Sequence, residues 1–143
     1  MDTASFPFRY TIRVRYAEID GQGVVFNAVY LTYFDTAITE YIRALPYEYN
    51  LGGDKAAGTD FHAVKATVEF KAPIRFDADI EVGVRTAKLG RTSIVYELAI
   101  FPKGGDALLS VGEVIWVNTD LKAHKATALP QALVDTVTKR EPR

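Results

Sequence analysis

Residues 28–45 read Ala-Val-Tyr-Leu-Thr-Tyr-Phe-Asp-Thr-Ala-Ile-Thr-Glu-Tyr-Ile-Arg-Ala-Leu, with no glycine or proline. The polar residues Thr32, Asp35, Thr36, Thr39, Glu40 and Arg43 recur at steps of three and four, which places them on one face of an α-helix. Nearly every other position is apolar, from Val29, Tyr30 and Leu31 to Tyr41 and Ile42. A surface helix carries an apolar stripe; this one carries a polar stripe on an apolar cylinder. Other structure must therefore wrap most of its circumference. Pro46 ends it, because proline lacks the amide that the next turn needs.

The flanking segments supply the wrapping. Residues 8–16 alternate, with Phe8, Tyr10, Ile12, Val14 and Tyr16 facing one way and Arg9, Thr11, Arg13 and Arg15 the other, the period of a half-buried strand. After the helix, residues 47–60 carry Gly52, Gly53 and Gly58 and read as an irregular loop. Four strand-like segments follow: 64–71, 80–85, 92–101 and 107–118. Their connections, Pro73 to Asp79, Lys88 to Arg91 and Pro102 to Asp106, are short and hairpin-like, so antiparallel neighbours are expected. Pro130 opens a last amphipathic helix with Leu133, Val134 and Val137 inward, and the tail from Lys139 is expected to fray. The order is α+β: one strand, a long apolar helix, four antiparallel strands and a short helix. Curling the sheet around the long helix buries it.

Composition narrows the function. At 143 residues the chain is read as one domain, residues 1–143 with a core at about 8–138. Lys and Arg number 17 against 18 Asp and Glu, so no basic excess favours nucleic acid or an anionic membrane. Cysteine is absent, which excludes disulfides, a thiolate metal site and a cysteine nucleophile. No positive segment followed by an apolar run is read at the start, and no stretch approaches the ~18 apolar residues of a membrane span. A cytoplasmic protein without a membrane span is expected.

Most familiar catalytic patterns fail here. Ser5, Ser93 and Ser110 lie in no G-x-S-x-G elbow. His62 and His124 are far apart without companion ligands, so no metal is expected. Gly21-Gln22-Gly23 lacks the third glycine of a dinucleotide fingerprint. Asp20 remains, at the joint between the first strand and the helix. It can start a turn by bonding its own backbone two residues on. It can also serve chemistry, because a helix N-terminus offers unpaired N–H groups and a partial positive charge. A carboxylate beside such amides suits acyl transfer, one attacking or activating water and the other stabilising an oxyanion.

The stretch from Arg15 to Ala37, centred on Asp20-Gly21-Gln22-Gly23-Val24-Val25, resembles the signature of hotdog-fold acyl-CoA thioesterases. The match is to the 4-hydroxybenzoyl-CoA thioesterase-like branch, which includes the thioesterase associated with the Tol-Pal system. It continues through Val68–Asp79, Leu89–Ser93, the strand Val114–Asp120 and the helix start at Leu129-Pro130. The resemblance implies a five-stranded antiparallel sheet wrapped around a long central helix. It implies that Asp20 is the catalytic carboxylate and that the backbone amide of Asn27 polarises the thioester carbonyl. The side chain at Asn27 is often His or Tyr in relatives, and it can also act as a plain helix cap. Gly23, Val24 and Tyr30 are expected beside the substrate, with Gly23 equally suited to ordinary turn geometry.

Coenzyme A needs cations for its phosphates, and Lys71, Lys88, Arg75 and Arg91 are the candidates, with Thr92 or Ser93 adding a hydroxyl. Phe34, Phe61 and Trp116 are candidates for an acyl or aryl pocket or for plain core. Asp35 and Glu40 fit the rival hotdog arrangement, with its carboxylate on the helix, but their polar stripe points to solvent or a subunit contact. Glu18 is read as structural. The expected substrate is an acyl-CoA or aryl-CoA thioester, with no cofactor beyond it, and a homodimer or homotetramer is expected. A non-catalytic acyl-CoA or aromatic-ligand binding protein and a hotdog hydratase are the competing classes; the latter would need a catalytic histidine in a matching motif.

Overall fold

The apolar cylinder forms helix α1 (Val29–Ala44) in the computed structural model, which describes residues 5–47 and 57–141. Tyr30, Tyr33, Phe34, Ala37, Ile38, Tyr41 and Ile42 are buried, while Thr32, Asp35, Thr36 and Arg43 are exposed. The two faces of the helix thus fall where the spacing of polar residues puts them.

The sheet comprises β1 (Arg9–Arg13), β2 (Thr59–Phe70), β3 (Asp79–Leu89), β4 (Ser93–Pro102) and β5 (Ser110–Asp120). A two-residue β6 (Lys125–Ala126) adds to β5, and helix α2 (Gln131–Arg140) follows. The order is β1-β3-β4-β5-β2, and every pairing is antiparallel. Five strands match the expectation; β6 is too short to show a period. Helix α1 lies against the inner face, packing with residues such as Ile80, Val82, Leu98 and Val114. On the outer face Phe6, Ala99, Phe101 and Val111 form a second cluster.

Three expectations change. Pro73 to Asp79 is no hairpin: β2 pairs with β5, so this segment crosses the end of the sheet instead. Its backbone is satisfied by other partners, with Val25 N–H donating to Ile74 O at 2.8 Å and Phe76 N–H to Gly23 O at 3.3 Å. The alternation of the first strand ends before Tyr16, because a 3-10 turn at Tyr16–Glu18 rotates that side chain outward to 76% exposure, edge-on to Phe76. The tail does not fray at Lys139: α2 continues to Arg140, whose guanidinium donates to Ala44 O, and Glu141 accepts from Thr86 N–H and Tyr41 Oη. Most of the loop read at 47–60 lies outside the described residues, and its last two, Thr59 and Asp60, already belong to β2.

A Cβ at Gly112 in β5 would stand 2.4 Å from both Phe34 Cε2 and the Thr67 carbonyl oxygen. Strand β2 closes one edge of the sheet, and residues 62–67 on it are all exposed.

Candidate functional site

The loop between β1 and α1 is shaped by its own hydrogen bonds. Asp20 N–H donates to Val24 O at 2.9 Å, and Gly23 N–H donates back to Asp20 O at 3.0 Å. Gly23 adopts φ +77°, a left-handed conformation that glycine takes without a Cβ penalty. Asp20 Oδ1 accepts Gln22 N–H at 2.8 Å, the two-residue turn expected of aspartate. Its second oxygen accepts no hydrogen bond among the described residues. Turn formation therefore uses half of the carboxylate and leaves the other half open.

The return arm leads into α1. Phe26 N–H donates to Glu18 O at 2.9 Å, which closes the loop at its base. Val29 N–H then turns back to Phe26 O, and Tyr30 N–H to Asn27 O, as the first helical bonds form. The amides of Asn27 and Ala28 find no acceptor among the described residues. Ala28 occupies the cap position and no side chain caps the helix, so Asn27 is not the side-chain cap that its identity suggests. One loop thus carries an open carboxylate oxygen on one arm and two open amides at the positive end of a helix on the other.

Glu18, at the base of the loop, is buried despite its charge. Its Oε1 accepts Arg15 N–H at 2.8 Å and the Tyr33 hydroxyl at 2.9 Å, while Oε2 pairs with the Arg15 guanidinium at 3.0 Å. Burial alone would raise this carboxyl; the Arg15 amide, the Tyr33 hydroxyl and the Arg15 guanidinium together take it below its usual range. Burial, and then the bond to Glu18, push the Tyr33 hydroxyl well up. The sequence carries no local sign of this contact, since its partners are fifteen residues apart on different elements.

The other candidates divide by position. Gly23 and Val24 belong to the loop, and Val24 bridges to Arg75 on the crossing segment. Tyr30 is 3% exposed and packs edge-on against Phe70 at 4.8 Å, so its ring is core at the head of the helix. Phe34 is fully buried, and Trp116 lies tilted against Phe61 and edge-on to Tyr96, so these too are core or its margin. Lys71 follows Phe70 and pairs with Glu69 at 3.7 Å.

Lys88, Arg91, Thr92 and Ser93 are not near the loop. β3 begins beside it, where Val14 N–H donates to Ala78 O, and then runs eleven residues away. At the usual strand rise the two ends are about 30 Å apart. At that far turn Gly90 N–H donates to Ser93 O, and the carbonyls of Arg91 and Thr92 accept from Leu129 and Asn118. On the helix stripe, Glu40 pairs with Arg43, and Asp35 has its carboxyl pushed up by desolvation although solvent reaches it. Neither bonds to the loop among the described residues. His62 and His124 are exposed, no cluster among the described residues suits a metal ion, and no described helix is long and apolar enough to cross a membrane.

Comparison with known proteins bears on the fold and the family. The family model described as thioesterase superfamily matches residues 22–109, starting in the turn that Asp20 opens. The acyl-CoA thioester hydrolase YbgC of Escherichia coli O6:H1 is 32% identical over 127 residues, covering 89% of this chain and 92% of its own. The acyl-CoA thioesterase YbgC of Haemophilus influenzae is 45% identical over 125 residues, covering 87% of this chain and 89% of its own. The crystal structure of the PA5185 protein from Pseudomonas aeruginosa superposes with a TM-score of 0.86 at 28% identity, covering 96% of this chain and 93% of that one. With a hotdog arrangement of sheet and helix, a family model over more than half its length and relatives along nearly all of it, the chain belongs to the thioesterase superfamily and is a thioester hydrolase.

Proposed function

We propose that the chain hydrolyses an acyl-CoA or aryl-CoA thioester to the free acid and coenzyme A in the cytoplasm, with Asp20 as the reacting carboxylate. The observation that carries this reading is the open Asp20 oxygen on the same loop as the open amides of Asn27 and Ala28. The names of the YbgC relatives support an acyl-CoA substrate. With its carbonyl oxygen at the Asn27 amide, a thioester becomes more electrophilic, and the helix N-terminus stabilises the negative charge that grows there. Asp20 either attacks that carbon or takes a proton from a water that does. On the first route thiolate is expelled as the carbon–sulfur bond breaks, and water hydrolyses the acyl–Asp20 anhydride, its proton going to the thiolate. On the second, Asp20 passes the water's proton to the departing thiolate. Gly23 and Val24 form the floor of this loop, and Tyr30 backs the amides from the core.

Coenzyme A spans both ends of the sheet only if a second copy supplies one of them. Lys88, Arg91 and Ser93 therefore bind the phosphates of a substrate held by the Asp20 loop of a partner subunit, in a homodimer or homotetramer. The edge of β2, exposed throughout residues 62–67, is the natural surface for that association.

Asp20→Asn tests the carboxylate. Asparagine keeps an oxygen for the Gln22 amide, so the loop is expected to fold, but it is neither a base nor a competent nucleophile. On a panel of short, long and aryl acyl-CoA substrates, kcat is expected to fall by about 10²–10⁴ with KM little changed. Glu40→Gln is the control and is expected to remain active. An Asp20→Asn enzyme within a few-fold of wild type would refute the assignment, and inertness of the wild type toward every thioester would favour a binding protein.

A further inference from the structure

We propose that Glu18 and Tyr33 form a positioning clamp that sets Asp20 against the α1 amides; this rests on the reading of Asp20 as the reacting carboxylate. Glu18 acts on both arms of the loop at once. Its backbone carbonyl holds Phe26, the residue before Asn27, and its side chain reaches across to Tyr33 on α1. Asp20 follows two residues later. Among the described residues, the Tyr33 hydroxyl makes the only hydrogen bond from an α1 side chain to the segment 15–28. The remaining hydrogen bonds of that segment lie within it, run to Ile74 and Phe76 on the crossing segment, or are the first backbone bonds of α1 from Val29 and Tyr30.

Val25 and Ile19 pack into the core with α1, but the Glu18 carboxylate itself borders a cavity. A cavity of about 320 Å³ opens between β1 and α1, lined by Tyr10, Arg13, Arg15, Glu18, Tyr33 and Thr36 among others. On that side the hydrogen bonds from Arg15 and Tyr33, rather than side-chain packing, hold the Glu18 carboxylate. A purely structural acid would serve stability and leave the turnover of folded enzyme alone. A positioning acid affects the chemical step, because an error near 1 Å in placing reacting groups can cost about a hundredfold in rate.

The test uses the full chain in its native assembly and one acyl-CoA substrate, with melting temperature, KM and kcat measured for each variant. Tyr33→Phe removes one hydrogen bond and leaves the Glu18–Arg15 pair intact. It is expected to melt within a few degrees of wild type and keep KM within about threefold, with kcat lowered about tenfold. Glu18→Gln is expected to lower kcat by about ten- to a hundredfold, and adding Tyr33→Phe to it should lower kcat little further, since both changes act on one bond. Should Glu18→Gln fail to fold, Tyr33→Phe decides alone. A Tyr33→Phe kcat within twofold of wild type, or a loss found only in KM or in the folded fraction, overturns the clamp. Asp20→Asn run alongside separates the two ideas. If it is inactive while Tyr33→Phe is unimpaired, the clamp fails and Asp20 stands; if it is active, the reading of Asp20 fails and takes the clamp with it.

Discussion

Gly112→Ala offers a sharp measure of how closely the helix presses on the sheet. The added methyl would stand 2.4 Å from Phe34 Cε2, 2.9 Å from Phe34 Cζ and 2.4 Å from the Thr67 carbonyl oxygen. Ordinary contact needs about 1 Å more on each side. Phe34 is fully buried, and Thr67 is backbone in a strand laddered to β5, so neither can swing aside. Overpacking of this kind costs typically 1–3 kcal/mol, and rigid neighbours on both sides place this site near the top of that range. Relief from glycine's entropy returns about 0.5–1 kcal/mol, leaving a net loss of about 2–2.5 kcal/mol. At about 2.1 cal/mol/K per residue, a chain of this length unfolds with about 0.3 kcal/mol/K, so Tm is expected to fall by about 7–8 °C. Calorimetry at one fixed protein concentration measures it, which removes the effect of subunit association. Gly21→Ala is the control, because nothing lies within 4 Å of a Cβ there and its φ is ordinary; it should leave Tm within about 2 °C. If Gly112→Ala also melts within 2 °C of wild type, the helix does not bear on β5 as described.

Other predictions concern the assembly and the charges. Lys88→Ala with Arg91→Ala is expected to raise KM for acyl-CoA at least tenfold while sparing a truncated pantetheine thioester; equal effects on both substrates would place the phosphates elsewhere. Mixing that variant with Asp20→Asn subunits should restore part of the activity, and no recovery after subunit exchange would mean that one chain supplies both ends. Sedimentation at micromolar concentration should show a dimer or tetramer, and Val64→Asp on the exposed edge of β2 should shift it toward monomer; a fully active wild-type monomer would refute the shared site. Because the folded Glu18 carboxyl lies below its ordinary 4.5, its stabilisation is complete above that pH and is lost as pH falls through the lower folded value. Glu18→Gln should therefore flatten the acid limb of the stability curve, and an unchanged limb would remove Glu18 as its source.

The sequence by itself determined what depends on neighbours along the chain. The polar stripe of α1 is a matter of steps of three and four, and the buried face from Tyr30 to Ile42 follows from it, although Leu31, placed on the apolar cylinder, is exposed. Alternation marked β1, β2 and β3 and apolar runs marked β4 and β5, while Asp20 with Gly23 marked the turn, because those bonds close within five residues. The tertiary structure decided what joins distant segments. β2 lies beside β5, although a short connection leads from it to β3. Glu141 returns to Tyr41 and Thr86, and Phe6 folds onto Phe101 behind the sheet. Lys88 and Arg91 stand at the end of β3 remote from Asp20, and Glu18 meets Tyr33 beneath the loop. Periodicity records which face of an element is buried but not what lies against it. That choice belongs to packing and hydrogen bonding between residues up to a hundred positions apart, and it is settled only when the chain is closed around its helix.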